Sequence, residues 1–220
     1  MKYRVKRGGE LRTICIVGNI ASGKTTLTSL LGSAIPNSIA IPEIFEENPF
    51  LPLYVQDPLR WAFMNAVRYM YDYARVFQEL TAGHESARAF IDAGVATNRC
   101  VYGRYLLGEG LMTPNEHDLY VILADLIEKQ FAYPKPDAFI FVHASPETCF
   151  RRMHERKWEY QTQNISLEYL IGLRKYFRAF EESVKGKQIP VLDLDSEKID
   201  FKSDEGRREA IVRVREFFES

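Results

Sequence analysis

Apolar residues along this chain fall into two kinds of run. Some are short and nearly continuous: Thr13-Ile14-Cys15-Ile16-Val17, Ser38-Ile39-Ala40-Ile41, Gly94-Val95-Ala96-Thr97-Asn98, Ala138-Phe139-Ile140-Phe141-Val142 and Ile189-Pro190-Val191-Leu192-Asp193-Leu194. Runs of that length suit strands buried on both faces. Others recur at helical spacing. Leu27, Leu30 and Leu31 form one face after Thr25, and Trp61, Met64, Val67, Met70, Tyr71, Ala74, Phe77 and Leu80 another from Pro58 to about Phe90, with a possible break at Gly83. Further helices are expected over 101–112, 115–131, from Ser145 to the polar segment Trp158–Asn164, from Ser166 to about Val184, and over about Asp204–Phe218. Proline in the first turn supports the starts at Pro58 and Pro146.

Five such strands alternating with helices predict an α/β fold, a five-stranded parallel sheet flanked by helices. One domain over residues 1–220 suits the length, and no repeat or linker interrupts it. Ligands of such sheets bind beyond the carboxyl ends of the strands. Gly18, Glu43, Arg99 and His143 all fall at expected strand ends.

The first of these ends carries the sharpest signal. Gly18-Asn19-Ile20-Ala21-Ser22-Gly23-Lys24-Thr25 reads G-x-x-x-x-G-K-T between an apolar strand and a helix, the phosphate-binding loop of nucleotide-binding proteins. Glycine lets the backbone approach a phosphate, and successive N–H groups at a helix start cradle it. Gly18, Asn19, Ala21, Ser22, Gly23, Lys24, Thr25 and Thr26 are therefore candidate ATP contacts. Lys24 would neutralise the β- and γ-phosphates, and Thr25 would ligate Mg²⁺.

Three other groups are candidates for chemistry. Glu43 could take a proton from an attacking hydroxyl, or it could merely cap a turn. Arg99 could stabilise a transferring phosphoryl group, or it could belong to a surface ion pair. Arg152 and Arg156 lie four apart on one helix face, with Arg151 and Lys157 beside them. They suit an arginine-rich lid over about 152–165 that closes on phosphates, or a solvated cationic helix end. The four histidines show no metal-ligand spacing.

Composition narrows the partners. A net charge of −1 with interspersed signs gives no basic face for nucleic acid or anionic membrane. No apolar run is long enough to span a bilayer. Lys2, Arg4, Lys6 and Arg7 precede no apolar signal core, and three unpatterned cysteines suit reduced thiols, so a cytoplasmic location is expected.

Several stretches then line up in order. Gly18–Thr26, Pro42-Glu43-Ile44-Phe45-Glu46-Glu47-Asn48-Pro49-Phe50-Leu51, Gln56-Asp57-Pro58 with Arg60-Trp61-Ala62-Phe63, and Asn98-Arg99-Cys100-Val101-Tyr102 resemble the deoxynucleoside kinase family of P-loop phosphotransferases. Ser145-Pro146-Glu147, Arg152–Arg156 and Ile165–Leu170 continue the resemblance. It implies a P-loop kinase fold, ATP with Mg²⁺, a nucleoside-like small-molecule substrate and a homodimer. It implies Glu43 as base for the 5′-hydroxyl, Arg99 near that hydroxyl, Arg152 and Arg156 as lid arginines, and Asp193 at the start of the segment over the donor adenine. Lys24 joins Glu43 and Arg99 as catalytic, while Tyr54, Asn65 and Glu159 join them on the acceptor side.

The departures concentrate on the acceptor. Asn98 stands where the family has an acidic residue that helps hold Mg²⁺ through water, and Cys100 where it has serine. Ala66 takes the register of a base-reading glutamine with Asn65 beside it. The base-stacking aromatic falls near Gly108, and a sugar-binding tyrosine near Val55 with Tyr54 adjacent. Three readings stand at this point: phosphorylation of a nucleoside 5′-hydroxyl, a kinase with a changed acceptor, and a nucleotide-binding subunit without catalysis.

Overall fold

The structure, a computed structural model, describes residues 11–43, 48–84, 87–155 and 165–219. Arg156, Glu159 and most of the expected lid lie outside the described residues.

Strands β1 (Arg12–Val17), β2 (Ser38–Ile41), β3 (Arg88–Asp92), β4 (Ala138–His143) and β5 (Val191–Asp195) form one sheet. Its order is β2-β3-β1-β4-β5, with every pairing parallel. Alternation along the strands divides the core. Ile14, Ile16, Ile140 and Val142 face helices α1 (Lys24–Ala34) and α9 (Asp204–Glu219), through Leu27, Leu31, Ala210 and Val214. Cys15, Val17, Phe139 and Phe141 face the opposite layer. That layer is built from α3 (Pro58–Thr81), α5 (Gly103–Gly108), α6 (Pro114–Gln130) and α8 (Leu167–Gly186). Both faces are covered, as the unalternating strand sequences require. The remaining helices are α2 (Leu51–Gln56), α4 (Gly94–Thr97) and α7 (Pro146–Glu155).

The third strand is not at Gly94–Asn98 but six residues earlier, at Arg88–Asp92. Only Ala89, Phe90 and Ile91 are apolar there, between two charged ends, so the helical rhythm of α3 hides the strand. α3 itself ends at Thr81. Ala93 and Gly94 have φ of +62° and +67°, which turn the chain out of the sheet. Gly94–Thr97 is helical and runs into a wider π-helical turn, Asn98–Tyr102, before α5. The residue at the end of β3 is therefore Asp92, and Arg99 sits on a helical turn.

Asn98 has a structural partner. Its Oδ1 accepts the buried Tyr120 hydroxyl at 2.9 Å. Tyr120→Phe leaves that amide oxygen without its donor and is expected to cost about 1–3 kcal/mol. The measurement is a lower urea midpoint at unchanged slope.

Candidate active site

The phosphate loop joins β1 to α1. Gly23 has φ +108°, a left-handed conformation that suits glycine. A side chain on Gly18 would run into the Val142 carbonyl and the Ser22 hydroxyl. The Asn19 side chain braces the loop. Its Nδ2 donates to Leu170 O on α8 at 2.9 Å, and its Oδ1 accepts from Ile20 N at 2.9 Å. Lys24 is buried, its Nζ donating to Asn19 O at 3.1 Å, inside the loop it would share with a phosphate.

Asp92 completes this centre. Its Oδ2 accepts the Thr25 hydroxyl at 2.6 Å. Its Oδ1 is buried with no hydrogen-bond partner, and such an atom is costly unless something else meets it. A buried carboxylate oxygen beside the loop threonine fits a hard cation, for which threonine and aspartate are the usual P-loop pair. The acidic group that position 98 lacks is thus present at position 92. Burial raises the Asp92 pKa, while the Lys24 charge and the Thr25 bond oppose that rise.

Glu43 lies two residues past β2. Its Oε1 accepts the Tyr73 hydroxyl at 2.8 Å. Its pKa is raised first by burial and then by the nearby Asp92 charge, with Lys24 and the Tyr73 bond pulling it down. Tyr102 shares this region: burial pushes its pKa well up, and the charges of Glu43 and Asp92 add to the rise. So the crevice gathers Lys24, Thr25, Glu43, Tyr73, Asp92 and Tyr102 from five separate stretches of chain.

Arg99 is not among them. Its guanidinium is held by Asp125 at 2.6 Å and Glu128 at 3.8 Å, both on α6. Once β3 ends at Asp92, position 99 falls on the π-helical turn against α6, and the structure does not bring Arg99 to the crevice as expected. The plainer ion-pair reading holds.

Asp193 has partners of its own. Mid-strand on β5, its carboxylate meets His143 at 2.8 Å and Lys185 at 2.9 Å. These partners pull its pKa down to about 2. The segment beyond it lies beside the phosphate loop. Ser196, Ile199, Asp200, Phe201 and Lys202 line a pocket of about 250 Å³ with Gly23, Thr26, Arg152 and Glu155. Arg152 ties that segment to the phosphate loop. Its Nη1 donates to Ser196 Oγ at 2.9 Å and Ser22 O at 3.2 Å, and its Nη2 to Ser196 O at 2.6 Å.

Of the residues expected on the acceptor side, Asn65 is buried on α3, and its Oδ1 accepts from Asn48 Nδ2 at 3.0 Å. Asn48 Oδ1 in turn accepts from Phe50 N at 3.0 Å, which sets both amides. Tyr54 on α2 is hydrogen-bonded by the Tyr169 side chain, and burial still pushes its pKa up to about 12. Gly108 lies against the Tyr176 hydroxyl, and the aromatics beside Glu43 are Tyr73 and Tyr102. Three residues were missed in sequence: Asp92, Tyr73 and Tyr102. An acid closing the apolar run at Ala89–Ile91 was the signal available for Asp92; nothing in the chain order marks the other two.

Comparison with known proteins points to one family. The family described as deoxynucleoside kinase matches residues 14–219. A deoxyguanosine kinase of Lactobacillus johnsonii is 26% identical over 216 residues, covering 93% of this chain and 91% of that protein. The deoxycytidine kinase of Rattus norvegicus is 26% identical over 248 residues, with 96% and 92% covered. A solved structure of deoxyadenosine kinase from M. mycoides with bound dCTP shares the fold, with a TM-score of 0.73 over 94% of this chain and 98% of that one at 16% identity.

Proposed function

This chain belongs to the deoxynucleoside kinase family, and from that premise we propose that it transfers the γ-phosphoryl group of ATP to the 5′-hydroxyl of a deoxynucleoside. The observation that carries the reading is the meeting of Glu43 with the Lys24–Thr25–Asp92 centre at the end of the phosphate loop. A kinase of this type needs one group for the hydroxyl proton and fixed positive charge for the phosphates, held in line.

The loop N–H groups and Lys24 bind the donor phosphates, and the Arg152–Ser196–Phe201 pocket takes the donor nucleoside. Thr25 and Asp92 would hold Mg²⁺, whose charge would offset that of the donor phosphates. Glu43 accepts the 5′-hydroxyl proton as the oxygen attacks phosphorus. Asn65, Tyr54 and Tyr102 shape the acceptor side. With its carbonyl oriented by Asn48, Asn65 offers its NH₂ group to a base acceptor. Arg156 is proposed to complete the lid, Glu159 to contact the acceptor, and Arg152 to stay with the phosphate loop.

The test is turnover of Mg·ATP against the four deoxynucleosides by the purified protein. Phosphorylation of at least one supports the assignment; no product from any of them overturns it.

Among the described residues no helix is long and apolar enough to cross a membrane. A cytoplasmic homodimer is proposed with the enzyme. Leu119, Ile122 and Leu126 stand exposed at helical spacing on α6, and Met64, Tyr71 and Leu80 on the neighbouring α3. Scattered apolar residues are ordinary on a surface, but two packed helices each presenting several are what a helical dimer interface needs. Ile122→Glu with Leu126→Glu is expected to halve the mass seen by light scattering. A mass unchanged from wild type would place the interface elsewhere.

A further inference from the structure

The base stands on irregular chain. Glu43 lies beyond β2 and outside any regular element, yet a general base must be held within hydrogen-bond reach of one particular proton. Lys24 acts on it through its charge, while its Nζ donates to Asn19 O. What reaches it with a hydrogen bond is α3, a 24-residue helix packed into the core. Tyr73 is 5% exposed on that helix, and its ring lies among Ile41, Phe77, Ile91 and Tyr133.

Packing of that kind would be served as well by phenylalanine. A buried hydroxyl costs free energy unless it finds a partner. The partner here is a carboxylate at the crevice, whereas the buried Tyr120 and Tyr133 hydroxyls meet a side-chain amide and a backbone N–H.

We infer that Tyr73 is a positioning residue for phosphoryl transfer: its hydroxyl fixes Oε1 of Glu43 and leaves Oε2 as the oxygen that meets the acceptor hydroxyl. The inference rests on Glu43 being the base. A phenol has one hydrogen to give, and giving it to Oε1 sets the carboxylate's rotation about its own axis. α3 also carries Asn65, eight residues earlier on the buried side. One rigid helix thus sets both the acceptor-facing amide and the base, so the two stay in register when a nucleoside binds.

The test is a double-mutant cycle in steady-state kinetics, using Mg·ATP and the deoxynucleoside that turns over fastest in the wild type. Tyr73→Phe removes one oxygen. It is expected to lower kcat about 10–100-fold, the range for a small misplacement of a reacting group. The nucleoside KM, the Mg·ATP dissociation constant and the melting temperature should stay near wild type, which shows that the fold is kept. In a Glu43→Gln background the same change should have no further effect, because a residue that acts through Glu43 has nothing left to position. The inference is overturned if Tyr73→Phe turns over within twofold of wild type, if its kcat falls only together with its melting temperature, or if its loss is repeated in full on top of Glu43→Gln. Wild-type rates in Glu43→Gln alone would instead overturn the base assignment beneath it.

Discussion

Glu43→Gln is expected to lower kcat by about 10²–10⁴-fold, the usual contribution of a positioned general base, with little change in nucleoside KM. Glutamine keeps the shape and can still accept the Tyr73 hydrogen bond, but it cannot take a proton. The same substitution should stabilise the free protein at neutral pH. Burial and the Asp92 charge raise the Glu43 pKa above the ordinary 4.5. A raised carboxyl pKa means that the folded state binds the proton more tightly than the unfolded one. Its contribution is fully present below about pH 4.5 and is lost as pH rises through the folded-state value. Wild type should therefore melt below Glu43→Gln at pH 8, and the gap should close toward pH 4. For the same reason the acid limb of wild-type kcat/KM should lie above the normal carboxylate range. A variant that is fully active, or a melting gap that widens as pH falls, would contradict this account.

Asp92→Asn is expected to weaken apparent Mg²⁺ affinity by about 10–100-fold, as loss of a metal-supporting partner usually does. The measurement is a titration of initial rate with Mg²⁺ at fixed ATP. The amide can still accept the Thr25 hydroxyl, so the loop should keep its shape while the buried anionic oxygen is lost. The informative contrast is Asn98→Asp. Position 98 faces Tyr120 inside the helical layer, so a carboxylate there should not improve Mg²⁺ use. Unaltered Mg²⁺ dependence in Asp92→Asn would mean that another group supports the metal.

Much of this architecture could be read in advance because it depends on local order. The Gly18–Thr25 loop, β1, β2, β4 and the helix beginning at Pro58 are all specified by residues close together in sequence: apolar runs, a proline in a first turn, glycines at a tight bend. β3 was misplaced because Arg88–Asp92 has only three apolar residues in a row, and Gly94–Thr97 offers an equally strand-like string. What decides between them is pairing. Arg88 to Ile91 meets β2 on one side while Arg88 to Asp92 meets β1 on the other, and no window of sequence displays that. That one slip carried Arg99 into the expected site and left Asp92 out of it.

The chain by itself determined that a nucleoside triphosphate loop stands on a buried parallel sheet, since close-approach glycines, a lysine and a threonine at fixed offsets have their meaning within eight residues. Only the tertiary structure decided which side chains share the crevice with it. Asp92 reaches Thr25 across 67 positions and Tyr73 reaches Glu43 across 30. Such contacts come from the order of strands in the sheet and the packing of α3 over it. They are global solutions to burying apolar surface, and neither partner carries a local mark of the other.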